Sequence, residues 1–200
     1  MKGIGIDSGF YRLLEKFTNI LLLNLLWIIS CLPIITIFPA TVAMFGVVRQ
    51  WNQNKEPNIF KSYFFFFKEN FLRSFIYGII WFVLAFLLYF NVTVSLEMSG
   101  AFMMIMVSIL MFFSLLFIMA SVFLLPIMVH YEMSWINYIK NAILFSITQI
   151  KTTIFCVLIL LVSVLMTYIL PISFVIIWSM AAYNVYKLCD QSFKKMEAMI

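Results

Sequence analysis

The sequence predicts an all-α fold: a polytopic transmembrane helical bundle of five to six membrane segments with amphipathic cytoplasmic helices. Three observations predict it. First, 65% of the 200 residues are hydrophobic, only 10% are charged, and the mean hydropathy is +1.09. Soluble domains average about 45–50% apolar and about 25% charged residues, so a chain of this size could not hide so much apolar surface from water. Second, charge is absent from four long stretches, residues 17–48, 74–96, 98–129 and 152–186. Roughly 20 apolar residues cross a bilayer as a helix, so each stretch is long enough to cross at least once. Third, the polar islands between them carry an excess of Lys and Arg, except for the short link holding Glu97.

The first stretch holds Pro33 and Pro39. Proline interrupts a helix interior but suits its first turn, where no backbone N–H is needed. One arm is expected to end near Leu32, the chain to turn through 33–38, and a second, shorter arm to descend to Gln50. A single crossing followed by an interfacial helix is the alternative. No small-residue cleavage site follows the N-terminal apolar run, so it reads as a membrane segment and not as a cleaved signal. Stretches 74–96 and 98–129 form a hairpin around Glu97–Gly100. Residues 152–186 are long enough for two short crossings with Pro171 between them. Positive loops stay cytoplasmic. This places 49–73, 130–151 and both termini on the cytoplasmic side of a cell membrane, with Glu97 and Pro171 outside.

Amphipathic patterns precede each pair of crossings. In 59–73, Phe60, Phe64, Phe67 and Phe71 recur at helical spacing, with Lys61, Lys68, Glu69 and Arg73 mostly on other faces. In 134–151 the stripe is Ile136, Ile139, Ile143, Ile147 and Ile150. Near the N-terminus, Phe10, Leu13, Leu14 and Phe17 alternate with Arg12, Glu15 and Lys16. The chain thus reads as one transmembrane domain over 1–200 with a weak threefold hairpin repeat, 8–52, 59–129 and 134–188. The amphipathic helices either anchor at the inner headgroup layer or dock onto a partner. For docking, the candidate surface is Lys61, Phe64, Phe67, Lys68, Phe71 and Arg73, since aromatic side chains make good anchors.

Little in the sequence points to chemistry. His130 is the only histidine, so His130-Tyr131-Glu132 cannot complete a metal's ligand set. Neither a Gly-x-Ser-x-Gly elbow nor a Gly-Lys-Ser/Thr phosphate loop occurs. The expectation is no enzyme, no cofactor and no nucleic-acid partner. Ionisable residues inside a bilayer mark ion and proton paths; here they are nearly absent, and Glu97 and His130 lie at the borders of the apolar runs. Asn19, Asn24 and Asn91 are expected to bond between helices. Cys31, Cys156 and Cys189 are widely spaced and read as free thiols.

The run from Asn24 to Ala43, with its Trp27-x4-Leu32-Pro33-x2-Thr36-x2-Pro39 core, resembles the signature of the YesL family, small membrane proteins of Gram-positive bacteria with a domain of unknown function. Lys68-Glu69-Asn70-Phe71, Pro126 with Tyr131, and Lys140-Asn141-Ala142 extend the likeness over almost the whole chain. Phe38 stands where members often carry Gly. The resemblance implies no catalytic residues. It implies an accessory role beside carbohydrate uptake, in the neighbourhood of an ATP-driven sugar importer. The runner-up is a self-contained carrier or channel for a small neutral solute. The signature residues Trp27, Pro33, Thr36 and Pro39 mark a buried hairpin turn, or else a small binding site or partner contact.

Cysteine labelling tests the orientation. After the native thiols are removed, a Cys placed at Asn54 should resist a membrane-impermeant reagent added from outside. Strong labelling there would overturn the whole topology, whereas labelling at Ser8 alone would overturn only the first hairpin.

Overall fold

A computed structural model describes the backbone of residues 8–198 and the side chains of residues 14–198. Seven α-helices follow one another, with no strand among the described residues: α1 (Ser8–Ser30), α2 (Ile37–Asn52), α3 (Ile59–Leu96), α4 (Ala101–His130), α5 (Trp135–Thr148), α6 (Ile150–Ile169) and α7 (Phe174–Glu197). Among the described residues, five segments are long and apolar enough to cross a membrane: Ile34–Asn52, Ile59–Leu96, Ala101–His130, Ile150–Ile169 and Pro171–Glu197. The chain is a multi-pass helical membrane protein. Lys2 and Asp7, and the side chains of Phe10, Arg12 and Leu13 in the first amphipathic pattern, lie outside the described residues.

Both proline-containing breaks become short 3-10 turns, Ile34–Thr36 and Pro171–Ser173. Pro39 falls in the first turn of α2, where its missing N–H costs nothing. The arms α1 and α2 reverse on each other through that turn. The second arm lies inside the bundle. Pro39, Ala40 and every residue from Val42 to Val48 are buried, and α2 touches α1, α3, α4 and α7. At the α3–α4 tip, Gly100 takes a φ of 82°, a left-handed conformation that glycine adopts without a Cβ penalty.

The amphipathic segment 59–73 runs without a break into the membrane span, making α3 a single helix of 38 residues. At 1.5 Å per residue that is roughly 57 Å, nearly twice the roughly 30 Å hydrocarbon core. Its buried stripe is Ile59, Tyr63, Phe66, Asn70, Ser74, Tyr77 and Trp81. Of the phenylalanine stripe read from the sequence, Phe60 and Phe64 are about half exposed, and Phe67 and Phe71 are partly covered. Likewise α5 buries Tyr138, Ala142, Phe145 and Ser146 and turns Ile136, Ile143 and Ile147 outward. The buried faces use groups that bond across helices: Tyr77 donates to the Trp135 carbonyl, and Trp81 Nε1 donates to Ser121 Oγ at 2.7 Å. Between Trp81 and Ala120 only Ser95 is buried, so the outer half of the α3–α4 hairpin presents apolar side chains in nearly every direction.

Where α2 and α3 meet, Gly46 lies against Phe66, and a Cβ built on Gly46 would overlap the Phe66 ring and crowd its Cβ. Gly46→Ala should therefore destabilise the bundle by about 1–3 kcal/mol, as overpacking does, read as a lower Tm of the detergent-solubilised protein. Phe66→Leu in the same chain should restore part of the loss. An unchanged Tm in Gly46→Ala would show that the contact is not tight.

Candidate functional site

The signature turn is built where α1, α2 and α7 meet. Trp27 Nε1 donates to Thr41 Oγ1 at 3.1 Å, and that hydroxyl donates to the Ile37 carbonyl at 2.7 Å. The end of α1 is thereby fastened to the first turn of α2. Thr36 Oγ1 lies 2.6 Å from the carbonyls of both Ser30 and Pro33 and closes the turn. The Trp27 indole stacks on Trp178 with centroids 5.9 Å apart and contacts Phe174 at 6.0 Å. One turn below, the fully buried Asn24 bridges the backbone of α7. Its Nδ2 donates to the Phe174 carbonyl at 2.7 Å, and its Oδ1 accepts from the Ser179 amide and hydroxyl, each at 3.1 Å. Asn24 thus bonds between helices, whereas Asn91 donates to Leu87 of its own helix.

The four signature residues have different environments. Pro39 is buried, Trp27 and Thr36 are half-buried, and Pro33 is exposed between Leu32 and Ile34. The turn also lines an apolar cleft of about 430 Å³, formed by Ile34, Ile35 and Phe38 against Phe75, Gly78 and Phe82 of α3. Phe38 packs against Gly78. The cleft has almost no polar lining, so its chemistry suits a hydrocarbon chain or an apolar side chain.

Polar chemistry gathers at the opposite end of the bundle. Asp190 of α7 accepts from Asn52 Nδ2 at 2.8 Å and pairs with Lys194 at 2.6 Å. His130 Nδ1 lies 3.0 Å from the Tyr186 hydroxyl and 3.8 Å from Asp190 Oδ1. Tyr131 donates to Glu197 Oε1 at 2.7 Å; burial, then the Glu197 carboxylate, push its hydroxyl well above the usual tyrosine range, so it stays a donor. Tyr138 donates to the Tyr131 carbonyl at 3.0 Å and accepts from the Met133 amide and from Arg73 Nη1. Deeper, Cys156 and Cys189, far apart in sequence, are both buried free thiols and lie near each other.

Beside this network, a second cleft of about 520 Å³ opens between α3 and the α4–α5 junction. Arg49, Glu69, Asn70, Arg73, His130 and Glu132 give it a polar lining. Of these only Arg73 was among the sequence-derived candidates. The missed residues carry a faint signal: Arg49 and His130 are the charged or ionisable groups that end two neutral runs. Among the six candidates on α3, Lys61, Phe64 and Lys68 face outward. Phe67 and Phe71 belong to an aromatic ladder from Tyr63 to Phe75, with successive centroids 6.2, 5.4 and 5.9 Å apart. Arg73 is drawn into the second cleft, its guanidinium 5.7 Å from the Tyr138 ring centroid.

The family described as "Protein of unknown function, DUF624" matches residues 20–92, a span containing the signature turn, α2 and most of α3. The chain is also similar to three proteins of Bacillus subtilis (strain 168), each described only as uncharacterized. YteU is 25% identical over 158 residues, 77% of this chain and 71% of that one. YesL is 27% identical over 131 residues, 64% and 61%, and YesV is 29% identical over 152 residues, 74% and 73%. No solved structure matches the chain. The resemblance to the YesL-like family read from the signature residues is thereby shown.

Asn24→Leu should lower the Tm markedly. It removes the three hydrogen bonds that Asn24 makes to the Phe174 carbonyl and to the Ser179 amide and hydroxyl of α7, each worth about 0.5–1.5 kcal/mol. The α1–α7 contact should loosen as well, seen as faster proteolysis near the Pro171 turn. A Tm equal to wild type would mean that α7 satisfies these groups by itself.

Proposed function

We propose that this chain has no catalysis of its own and serves as an accessory or regulatory partner of a carbohydrate uptake system in the cell membrane, with both termini cytoplasmic. The observation that carries the reading is where the buried polar groups lie. At the turn end they are consumed in holding α1, α2 and α7 together. At the other end they form an inter-helix network and a polar cleft. The cleft beside the signature turn is apolar. A carrier for a polar solute needs a polar site near the bilayer midplane, and the described residues supply no continuous polar path between the two ends. A partner protein needs only a lateral surface. The carbohydrate part of the proposal, and an ATP-driven sugar importer as the partner, come from the family resemblance.

The partner surface is proposed to be the outward side of the first turns of α3. Phe64 supplies apolar contact, Lys61 and Lys68 orient it, and the ladder of Phe67 and Phe71 stiffens the face from behind. Such a stiff aromatic face loses little entropy on docking. Lipid anchoring through the same residues makes a different forecast, because the membrane spans hold the chain in the bilayer regardless.

Phe64→Ala combined with Phe67→Ala should reduce co-purification of a transporter from native membranes while insertion is unchanged. If the double variant retains every partner, the face is a lipid anchor. Solute flux through the isolated protein in liposomes, with no co-purifying subunit, would end the accessory reading in favour of a self-contained carrier.

A further inference from the structure

We infer that the polar cleft between α3 and the α4–α5 junction is a binding site for a phosphate ester. Two guanidinium groups from different helices, Arg49 of α2 and Arg73 of α3, line the same space of about 520 Å³. Among the described residues neither has a carboxylate within salt-bridge distance, although Glu69 and Glu132 line the same cleft. Each arginine is instead held by a neutral acceptor. Arg49 Nη1 donates to the Val129 carbonyl at 2.6 Å, and Arg73 Nη1 donates to the Tyr138 hydroxyl at 3.0 Å.

A guanidinium has five N–H donors, so these anchors orient both groups and leave most of their donors uncommitted. The Nε–H of Arg49 is buried without an acceptor, an arrangement that costs free energy until an acceptor arrives. Two half-buried, pre-oriented guanidinium forks match the oxygens of a phosphate, which they grip in pairs and more strongly than neutral donors do. Glu69 and Glu132 select among phosphates. They repel a compact polyanion and accept hydrogen bonds from a hydroxyl or ammonium group. The ligand class is therefore a phosphate ester that carries such a donor. A phospholipid headgroup and a soluble phosphorylated polyol share this chemistry. The half-exposed Phe65 at the cleft edge and the exposed Leu72 beyond it lie where acyl chains would run along α3.

The site is independent of the accessory role, because ligand binding is measured on the purified chain without any partner. The full chain in non-ionic detergent is titrated with phosphatidylglycerol and with glycerol 3-phosphate, and in parallel with dioleoylglycerol and glycerol, which lack the phosphate. Native mass spectrometry and thermal shift report binding. The wild type should bind a phosphate-bearing probe and neither phosphate-free one. Phosphatidylglycerol alone would identify a lipid headgroup, and glycerol 3-phosphate a soluble ester. Arg73→Gln should weaken binding about tenfold or more, as loss of a charge-assisted contact does, while the unliganded protein still folds, with a Tm lowered only by the lost contact to Tyr138. Arg73→Lys, which keeps the charge and loses the fork, should fall between the two, and it decides the matter if Arg73→Gln does not fold. Failure of both phosphate probes, equal binding of the phosphate-free compounds, or wild-type affinity in the Arg73 variants would overturn the assignment.

Discussion

The bundle depends on α2 being enclosed on every side. A helix in that position must let four neighbours come close, and its sequence allows this. Ala40, Ala43 and Gly46 recur at intervals of three, and Phe66 sits directly on Gly46. Lipid tails are as apolar as a leucine-rich helix surface, so close packing between membrane helices relies on small residues and interhelical hydrogen bonds. α2 supplies both, and what its two ends carry is placed accordingly. Thr41 receives Trp27 at the turn end, and Arg49 and Asn52 reach α4 and α7 at the other.

The two ends then differ in kind. At the turn end, an irregular stretch of backbone is held by hydroxyls and an asparagine that bond main-chain groups directly. This is the condition under which non-helical backbone survives at membrane depth. The other end collects most of the ionisable groups that have partners, on α2, α3, α4 and α7 together. A network that ties four helices at one end, with a cleft beside it, can couple occupancy of the cleft to the positions of those helices. The outer half of the α3–α4 hairpin is mostly exposed and is free to face lipid or another protein.

The helix faces invert what a soluble protein would show. Phe60 and Phe64 on α3, and Ile136, Ile143 and Ile147 on α5, form the most regular apolar stripes in the polar islands, yet they point outward. The inward faces carry Tyr63, Asn70, Ser74 and Tyr77 on α3, and Tyr138 and Ala142 on α5. Hydrocarbon solvates phenylalanine and isoleucine as well as protein does, so those residues gain little by turning in. A tyrosine hydroxyl or an asparagine amide has no partner in lipid and is driven to find one on a neighbouring helix.

Local composition alone determined the membrane class, the two proline breaks with Pro39 inside a first helical turn, and the gathering of the charges at one end. Each follows from how a short stretch of chain meets its solvent, and no distant residue is needed to decide it. The two prolines of the turn were legible for the same reason, since proline acts on its own backbone, whereas Trp27 and Thr36 were singled out by the family resemblance. Only the tertiary structure decided that Asn24 meets α7, that Arg49 and Arg73 share one cleft with His130, that Cys156 meets Cys189, and which faces of α3 and α5 turn inward. In a bilayer the apolar stripe has no preferred side, so periodicity ceases to point at the core. Helix pairing is set instead by small residues and single hydrogen bonds between groups as much as 155 positions apart, and no window along the chain contains both partners.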